Sequence, residues 1–511
     1  MKYIFCINMI FSVVIVFFQR KDPRTVWTWL LALNFIPVFG ILFYLLFSQD
    51  FRKNKMFRIK EVEDRLEYSA RTQEEIIKNA ETALLGTFGS HYADLVLYNL
   101  EVSGAVLTMN NKVDIFTDGV EKFDDLKKEM ARAEKYIHIQ YYIIKNDEVF
   151  DSIVPILLEK AKEGVEIRIL YDGMGGRFMP KKKWEILKQA GIAIAVFFPP
   201  VFGRLNLRVN YRNHRKIAVI DGKVGYVGGF NIGKEYISKD PKFGYWRDTH
   251  LKFYGDAVTA LQIRFALDWN YAAKENLFKD MRYFSGTERF EYEQSKYEQS
   301  EYEQSKYEQS AYEQSAYEQP AYEQSGSRQP VGVQIIASGP DTSVKQIRDN
   351  YLELFHKAGH HIYIQTPYFI PDDAILSALR IAAGRGVDVR LMIPCKPDHP
   401  FVYWATYSYV GDLLNAGARC YVYENGFLHA KGVMVDGCVS SYGTANMDIR
   451  SFELNFEVNA VIYNEETTER LENIFLEDLS HCREITKQDY EKRGLWIRFK
   501  EQCSRLLSPL L

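Results

Sequence analysis

A chain of 511 residues is too long for one ordinary domain, and its net charge of −3 excludes a global field that would draw it to nucleic acid. The six cysteines (Cys6, Cys395, Cys420, Cys438, Cys482 and Cys503) are scattered, with no Cys-x-x-Cys. Their spacing supplies neither a disulfide framework nor a zinc site and suits a reduced compartment.

The first elements in chain order are apolar. "YIFCINMIFSVVIVFF" (3–18) and "VWTWLLALNFIPVFGILFYLLFS" (26–48) carry no charge, and the second exceeds the ~20 residues that a helix needs to cross a bilayer. No small-residue cleavage site follows the first run, so residues 1–50 read as a transmembrane helical hairpin; a signal peptide followed by one span is the alternative. Trp27, Trp29 and Tyr44 suit an interfacial belt. Lys2, Arg52, Lys53, Lys55, Arg58 and Lys60 outnumber Arg20, Lys21 and Arg24, which places both termini and everything after residue 50 in the cytoplasm. The basic stretch 51–60 suits anionic headgroups. Residues 51–110 read as a connector, helical over 61–105.

From about Val113 strands and helices alternate. Strands are expected in "VDIFTDG" (113–119), "YIHIQYYII" (136–144), "VEIRILYDG" (165–173) and "AIAVFF" (193–198), with helices over 149–164 and 181–190 between them. This alternation predicts a mostly parallel sheet covered by helices. Residues 291–325 are seven pentapeptides of the type Tyr-Glu-Gln-Ser-x, with nine Glu against two Lys. Tyrosines five apart make no helical stripe, so 284–330 reads as a disordered insert. After Gln329 the order returns: a helix near 344–358, the strand "HIYIQTPYFI" (361–370), a helix over 372–384 and the strand "VDVRLMI" (387–393). "IHIQ" (137–140) matches "IYIQ" (362–365), "EGVEIRIL" (163–170) matches "RGVDVRLM" (385–392), and "AGIAIAVF" (190–197) matches "AGARCYVY" (416–423). Three landmarks at nearly constant offset indicate a duplication, with one α/β domain over 111–283 and a second over 331–511. The second closes in a C-terminal amphipathic helix, "GLWIRFKEQCSRLLSPLL" (494–511), which either packs on the body or lies on a bilayer.

The duplication carries the chemistry. "NHRKIAVIDG" (213–222) and "LHAKGVMVDG" (428–437) each place a histidine and a lysine two apart on a strand, hence on one face. His214, Lys216 and Asp221 in the first copy answer to His429, Lys431 and Asp436 in the second. Asn231 and Asn446 each follow their lysine by 15 residues. Gly229 and Thr444 also correspond. Each copy therefore offers an imidazole, a cation and an amide, all suited to a phosphate. Two imidazoles can serve a two-step displacement at phosphorus, one as nucleophile and one as acid–base, with no metal or other cofactor.

These residues resemble the phospholipase D superfamily, marked by a doubled His-x-Lys-x4-Asp motif, and within it the bacterial cardiolipin synthase family. "WTWLLALNFIPVFGILFY", "NLRVNYRNHRKIAVIDGKVGYVGGFNIG", "YWRDTHLKFYGDAV", "IYIQTPYFIPD" and "GTANMDIRSFELNFEVNA" carry the likeness. It implies two α/β/α sandwich domains about a pseudo-twofold axis behind a membrane hairpin, in a multi-pass protein of the bacterial plasma membrane. It implies a phosphatidyltransferase that joins two phosphatidylglycerol molecules into cardiolipin and glycerol. His214 would be the nucleophile, forming a phosphatidyl-histidine, and His429 the acid–base. Asp221 and Asp436 would brace the motif, and an acidic residue downstream would orient each histidine, Asp248 for His214 and Glu457 for His429. A hydrolytic phospholipase D or a phosphatidylserine synthase would use the same residues, and a catalytically inactive membrane scaffold is the reading from another class.

Overall fold

The computed structural model describes residues 2–18, 23–35, 38, 40, 41, 44, 90–199, 210–284, 331–342 and 344–508. The tyrosine repeat and the basic stretch 51–60 lie outside these.

Two mixed sheets dominate. The first runs, in spatial order, Asn111–Phe116, His250–Gly255, Val224–Gly228, Ile217–Ile220, Tyr136–Tyr141, Glu166–Asp172 and Ala193–Phe197. The second runs Gly332–Ser338, Asn455–Tyr463, Val439–Gly443, Gly432–Val435, His361–Gln365, Asp388–Pro394 and Arg419–Tyr423, with Cys482–Ile485 added at the far edge. Strand order and direction agree position by position, which turns the sequence repeat into a structural one. The expectation of a mostly parallel sheet is corrected. Along the main path of each sheet, among the described residues, the parallel pairs are those joined by helical crossovers, Tyr136–Tyr141 to Glu166–Asp172 to Ala193–Phe197 and their counterparts. The strand after each motif turns back through a tight hairpin and must pair antiparallel.

That hairpin explains the Asp-Gly of each motif. Asp221 and Gly222 have φ of 54° and 67°, and Asp436 and Gly437 have 53° and 68°. The Lys223 amide donates to Ile220 O and the Cys438 amide to Val435 O, each at 3.0 Å, closing a β-turn of the I′ type that needs positive φ at both central residues, and Asp-Gly adopts it at little cost.

Side-chain alternation sorts each sheet into two faces. Ile137, Ile139, Ile167 and Ile169 face the helices Gly119–Ala131, Glu148–Lys162 and Lys181–Gln189. Ile362, Ile364, Val389 and Leu391 face the helices Gln346–Lys357, Asp373–Gly384 and Pro400–Asn415. The inner faces share one core, in which Val219, Val227, Met434 and Val458 meet the helices Ala257–Ala273 and Glu465–Leu479. The two halves are thus one body. The described end of the connector, helix Ala93–Ser103, buries Leu95, Val96 and Leu100 against the outer layer of the second half. The connector contributes to that half's core as well as linking it.

At the N-terminus the helices Lys2–Phe18 and Pro23–Phe35 pack together, with Asn8 Nδ2 donating to Leu33 O at 2.6 Å and Tyr44 edge-on to Trp29. Among the described residues no helix is long and apolar enough to cross a membrane.

The described residues on either side of 291–325 build both sheets and their three cores. Deleting those residues should leave catalytic activity and the thermal unfolding midpoint within experimental scatter, since closure entropy changes slowly with loop length. Loss of activity in a deletion that still unfolds at the parent temperature would give the repeat a function.

Candidate active site

Each motif histidine ends a short extended segment that pairs with the other half. Arg212–Asn213 pairs in parallel with the start of Asn455–Tyr463, matching Asn213 to Phe456, and the His214 amide donates to Phe456 O at 2.9 Å. Phe427–Leu428 pairs in parallel with Trp246–Arg247, and the His429 amide donates to Arg247 O at 2.7 Å. This register sets His214 beside Glu457 and His429 beside Asp248.

The carboxylates are therefore exchanged between halves. His214 Nδ1 lies 3.0 Å from both Glu457 oxygens, and His429 Nδ1 lies 2.6 Å from Asp248 Oδ2. The pairing inferred from sequence, Asp248 with His214 and Glu457 with His429, is corrected. The physical cause is the pair of interdomain bridges, each two residues long, which sequence order does not reveal. Thr444 Oγ1 donates to Glu457 Oε2 at 2.6 Å and Asn455 Nδ2 to Oε1 at 3.1 Å, while the Thr249 amide donates to Asp248 Oδ1 at 2.8 Å. At Gly229, the counterpart of Thr444, a Cβ would lie 1.9 Å from Asp248 Oδ1, so glycine there admits the carboxylate.

Behind each carboxylate an arginine fixes the backbone. Arg215 Nε donates to Glu457 O at 3.0 Å, and its Nη1 pairs with the buried Asp268 at 2.5 Å. Arg247 reaches Asp248 O and pairs with Asp478 at 2.7 Å. Gln140 and Gln365, the glutamines of the repeated "IHIQ" and "IYIQ", donate to Asp268 and Asp478 respectively. These buried pairs hold position; their net stability gain is small, because desolvation offsets attraction.

Lys216 and Lys431 are buried, and each donates from Nζ to the carbonyl of its own histidine, Lys216 at 2.6 Å. Lys431 Nζ also lies 2.7 Å from His429 Nδ1. Against the upward push of burial, Lys431 and His429 hold Asp248 below the ordinary carboxylate range. With Asp248 ionised, the Nδ1 proton belongs to the hydrogen bond with Asp248, and Lys431 spends its protons on the carbonyl. Glu457 is likewise held low by His214 and Lys216 against burial. Both rings are thereby fixed as Nδ1–H tautomers with Nε2 outward.

Burial lowers the His214 imidazole and takes His429 down to about 4, so both are neutral near pH 7 in the free protein. Lys431 pushes His214 down and Lys216 pushes His429 down, so the two motifs act within one electrostatic unit. Burial also brings Lys431 to about 8. The unfolded chain protonates His429 near 6.5 and the folded one only near 4. This group alone therefore destabilises the fold as pH falls through that window.

The other motif residues sit differently. Asp221 accepts from the amides of Glu134, Lys135 and Tyr136, each at 2.8 Å, and Asp436 from those of Gly359, His360 and His361. Each follows its histidine by seven residues, about 23 Å of extended chain, beyond the far end of the four-residue strand. They clamp the hairpin to the neighbouring strand, away from the histidines. Asn231 accepts from the Ile143 amide at 3.1 Å and donates to Tyr236, whose ring neighbours His429. Asn446 donates to Asp448 at 3.2 Å, and its buried Oδ1 has no hydrogen-bond partner among the described residues. Tyr142, edge-on to His214 at 5.0 Å, and Trp246, 5.0 Å from His429, wall the rings; sequence reading singled out neither, nor Asn455. Among the described residues no group of three or more His, Cys, Asp or Glu could hold a metal.

The family described as "Cardiolipin synthase, PLD-like domain" matches residues 126–242 and 351–479, and "Phospholipase_D-nuclease N-terminal" matches 6–49. A cardiolipin synthase of Oceanobacillus iheyensis is 43% identical over 508 residues, covering 99% of this chain and 98% of its own. The major cardiolipin synthase of Bacillus subtilis is 44% identical over 511 residues, covering 99% and 98%. A cardiolipin synthase of Staphylococcus aureus (strain MW2) is 45% identical over 509 residues, covering 99% and 95%. The fold is also that of the phosphatidylserine synthase of Haemophilus influenzae, with a TM-score of 0.57 at 13% identity over 81% of this chain and 98% of that one.

Proposed function

Because the chain belongs to the cardiolipin synthase family of phospholipase D-like phosphatidyltransferases, we propose that it transfers a phosphatidyl group from one phosphatidylglycerol to another, giving cardiolipin and glycerol. The exchanged carboxylate–histidine pairs carry this reading. They present two imidazole Nε2 atoms, each with its tautomer fixed, beside two buried lysines.

His214 Nε2 attacks phosphorus and forms the P–N bond. The P–O bond to glycerol breaks, and glycerol leaves with a proton from His429. The phosphate anion seated against His429 raises that ring's proton affinity, so that Nε2 takes a proton from water before the step, and Asp248 stabilises the imidazolium across Nδ1. His429 then removes the proton from the second phosphatidylglycerol's hydroxyl. The alkoxide attacks phosphorus, and His214 departs neutral. Lys216 and Lys431, with the remaining amide protons of Asn231 and Asn446, face the non-bridging oxygens.

The N-terminal segment that carries the helices Lys2–Phe18 and Pro23–Phe35 anchors the enzyme in the bacterial plasma membrane, with the catalytic body on the cytoplasmic side. Full-chain protein in vesicles of phosphatidylglycerol alone should yield cardiolipin and glycerol in equal amounts. Phosphatidic acid as the main product would instead make the enzyme a hydrolase.

The His214 shift has a kinetic consequence. With phosphatidyl-p-nitrophenol, whose leaving group needs no proton, the nitrophenolate burst rate requires only a neutral nucleophile. Since burial lowers His214, the rate should rise with pH to a plateau reached through a midpoint below the ordinary 6.5. A midpoint at or above that value would contradict the assignment.

A further inference from the structure

We propose that the C-terminal helix Leu495–Leu506, together with the Phe401–Trp404 end of the helix Pro400–Asn415, forms a surface that inserts into an anionic phospholipid bilayer beside the active site. An amphipathic helix on a soluble body normally turns its apolar face inward. This one is reversed. Its buried residues are Glu501 and Ser504, while Leu495, Trp496, Phe499 and Leu506 are 84%, 66%, 56% and 81% exposed.

It is held by polar contacts. Arg493 forks onto Glu501 at 2.8 Å, Arg505 pairs with Asp412 at 2.7 Å and covers the Tyr409 ring, and Tyr409 donates to Ser508 at 3.2 Å. The apolar face is thus free while the helix is firmly docked. A face this rich in large side chains marks an interaction surface.

Charge selects the occupant. At helical spacing Arg498 and Lys500 fall at the two edges of the exposed arc; Arg498 donates to the carbonyls of Arg493 and Glu491, and Lys500 stands where a long basic side chain reaches headgroups while its stem stays in the apolar layer. Lys500 Nζ lies 5.1 Å over Trp404 and 5.6 Å over Trp496, which joins the C-terminal helix to the neighbouring aromatic rim. Residues 487–508 hold six basic and three acidic side chains.

Position favours the same occupant. Thr406 of the helix Pro400–Asn415 accepts from the Phe369 amide at 3.1 Å, and Phe369 pairs with Met447, the neighbour of Asn446. Phe401, 58% exposed, opens that same helix. In the first half Phe178, 80% exposed, follows the equivalent strand Glu166–Asp172 and answers to it. The choice of a lipid surface rests on the phosphatidyl-transfer reading, which requires two lipids to enter from a bilayer.

The test uses the full chain in phosphatidylglycerol vesicles that contain nitroxide-labelled lipid. A thiol-reactive fluorophore on the exposed Cys503 should be quenched at least about threefold more than the same probe on Lys223→Cys in a Cys503→Ser chain. Lys223 follows the Asp-Gly hairpin, across the strand from His214. Cys503→Ser alone supplies the background. Trp496→Glu with Phe499→Glu removes no buried contact. It should erase the difference and lower vesicle activity about tenfold while leaving activity in mixed detergent micelles within about twofold. Equal quenching at both positions in a preparation that makes cardiolipin would overturn the surface and leave the function standing. Protection of Cys503 that rises with protein concentration without lipid would overturn it in favour of a second copy. Strong quenching in a preparation that makes no cardiolipin would support the surface and count against the function.

Discussion

His214→Ala and His429→Ala should each lower cardiolipin formation by at least about 10³-fold. Neither step has a substitute group. The attack needs a neutral nitrogen that can bond to phosphorus, and the departure of glycerol needs a proton delivered at the same moment. Thr444, Asn455 and Thr249, which hold the carboxylates, offer neither. Both rings are largely buried and each pairs with a buried carboxylate, so a lowered unfolding midpoint is expected and folding is checked beside activity. A variant that folds and keeps a tenth of the activity would sink the two-histidine scheme.

The second large effect concerns the exchanged carboxylates. Glu457→Gln should slow the nitrophenolate burst from phosphatidyl-p-nitrophenol by about 10²- to 10⁴-fold, because the amide no longer fixes the His214 tautomer or balances its charge. Asp248→Asn should leave the burst nearly intact and slow breakdown of the adduct by a similar factor, because it weakens His429. The sequence-based pairing predicts the two phenotypes interchanged. The distinction rests on which strand each histidine joins: His214 follows the segment bridged to Asn455–Tyr463, and His429 the segment bridged to Trp246–Arg247.

Much of this was legible before any coordinates. The repeated "IHIQ" and "IYIQ" marked equivalent strands, and the matched spacing from lysine to asparagine marked the site. Local rules sufficed there, because strand alternation and a hairpin's need for Asp-Gly act over a few residues. Long-range relations were not legible. Asp221 and Asp436 share the motif with the histidines yet end across the strand from them, since an aspartate at positive φ beside three free amides is held where it is. The carboxylate exchange depends on two short bridges between segments 243 and 181 residues apart. The C-terminal helix showed its amphipathicity in the sequence, but which face docks depends on Asp412 and Tyr409 in another element.

The central claim is that one histidine carries the phosphatidyl group while the other handles protons. His429→Ala given phosphatidyl-p-nitrophenol tests it most directly, since nitrophenolate leaves without a proton and the adduct then lacks its base. The account predicts about one nitrophenolate per chain and a stable phosphatidyl adduct, found by peptide mass spectrometry on His214 and absent from His214→Ala. An adduct on another residue, or continued turnover with no adduct, would contradict it.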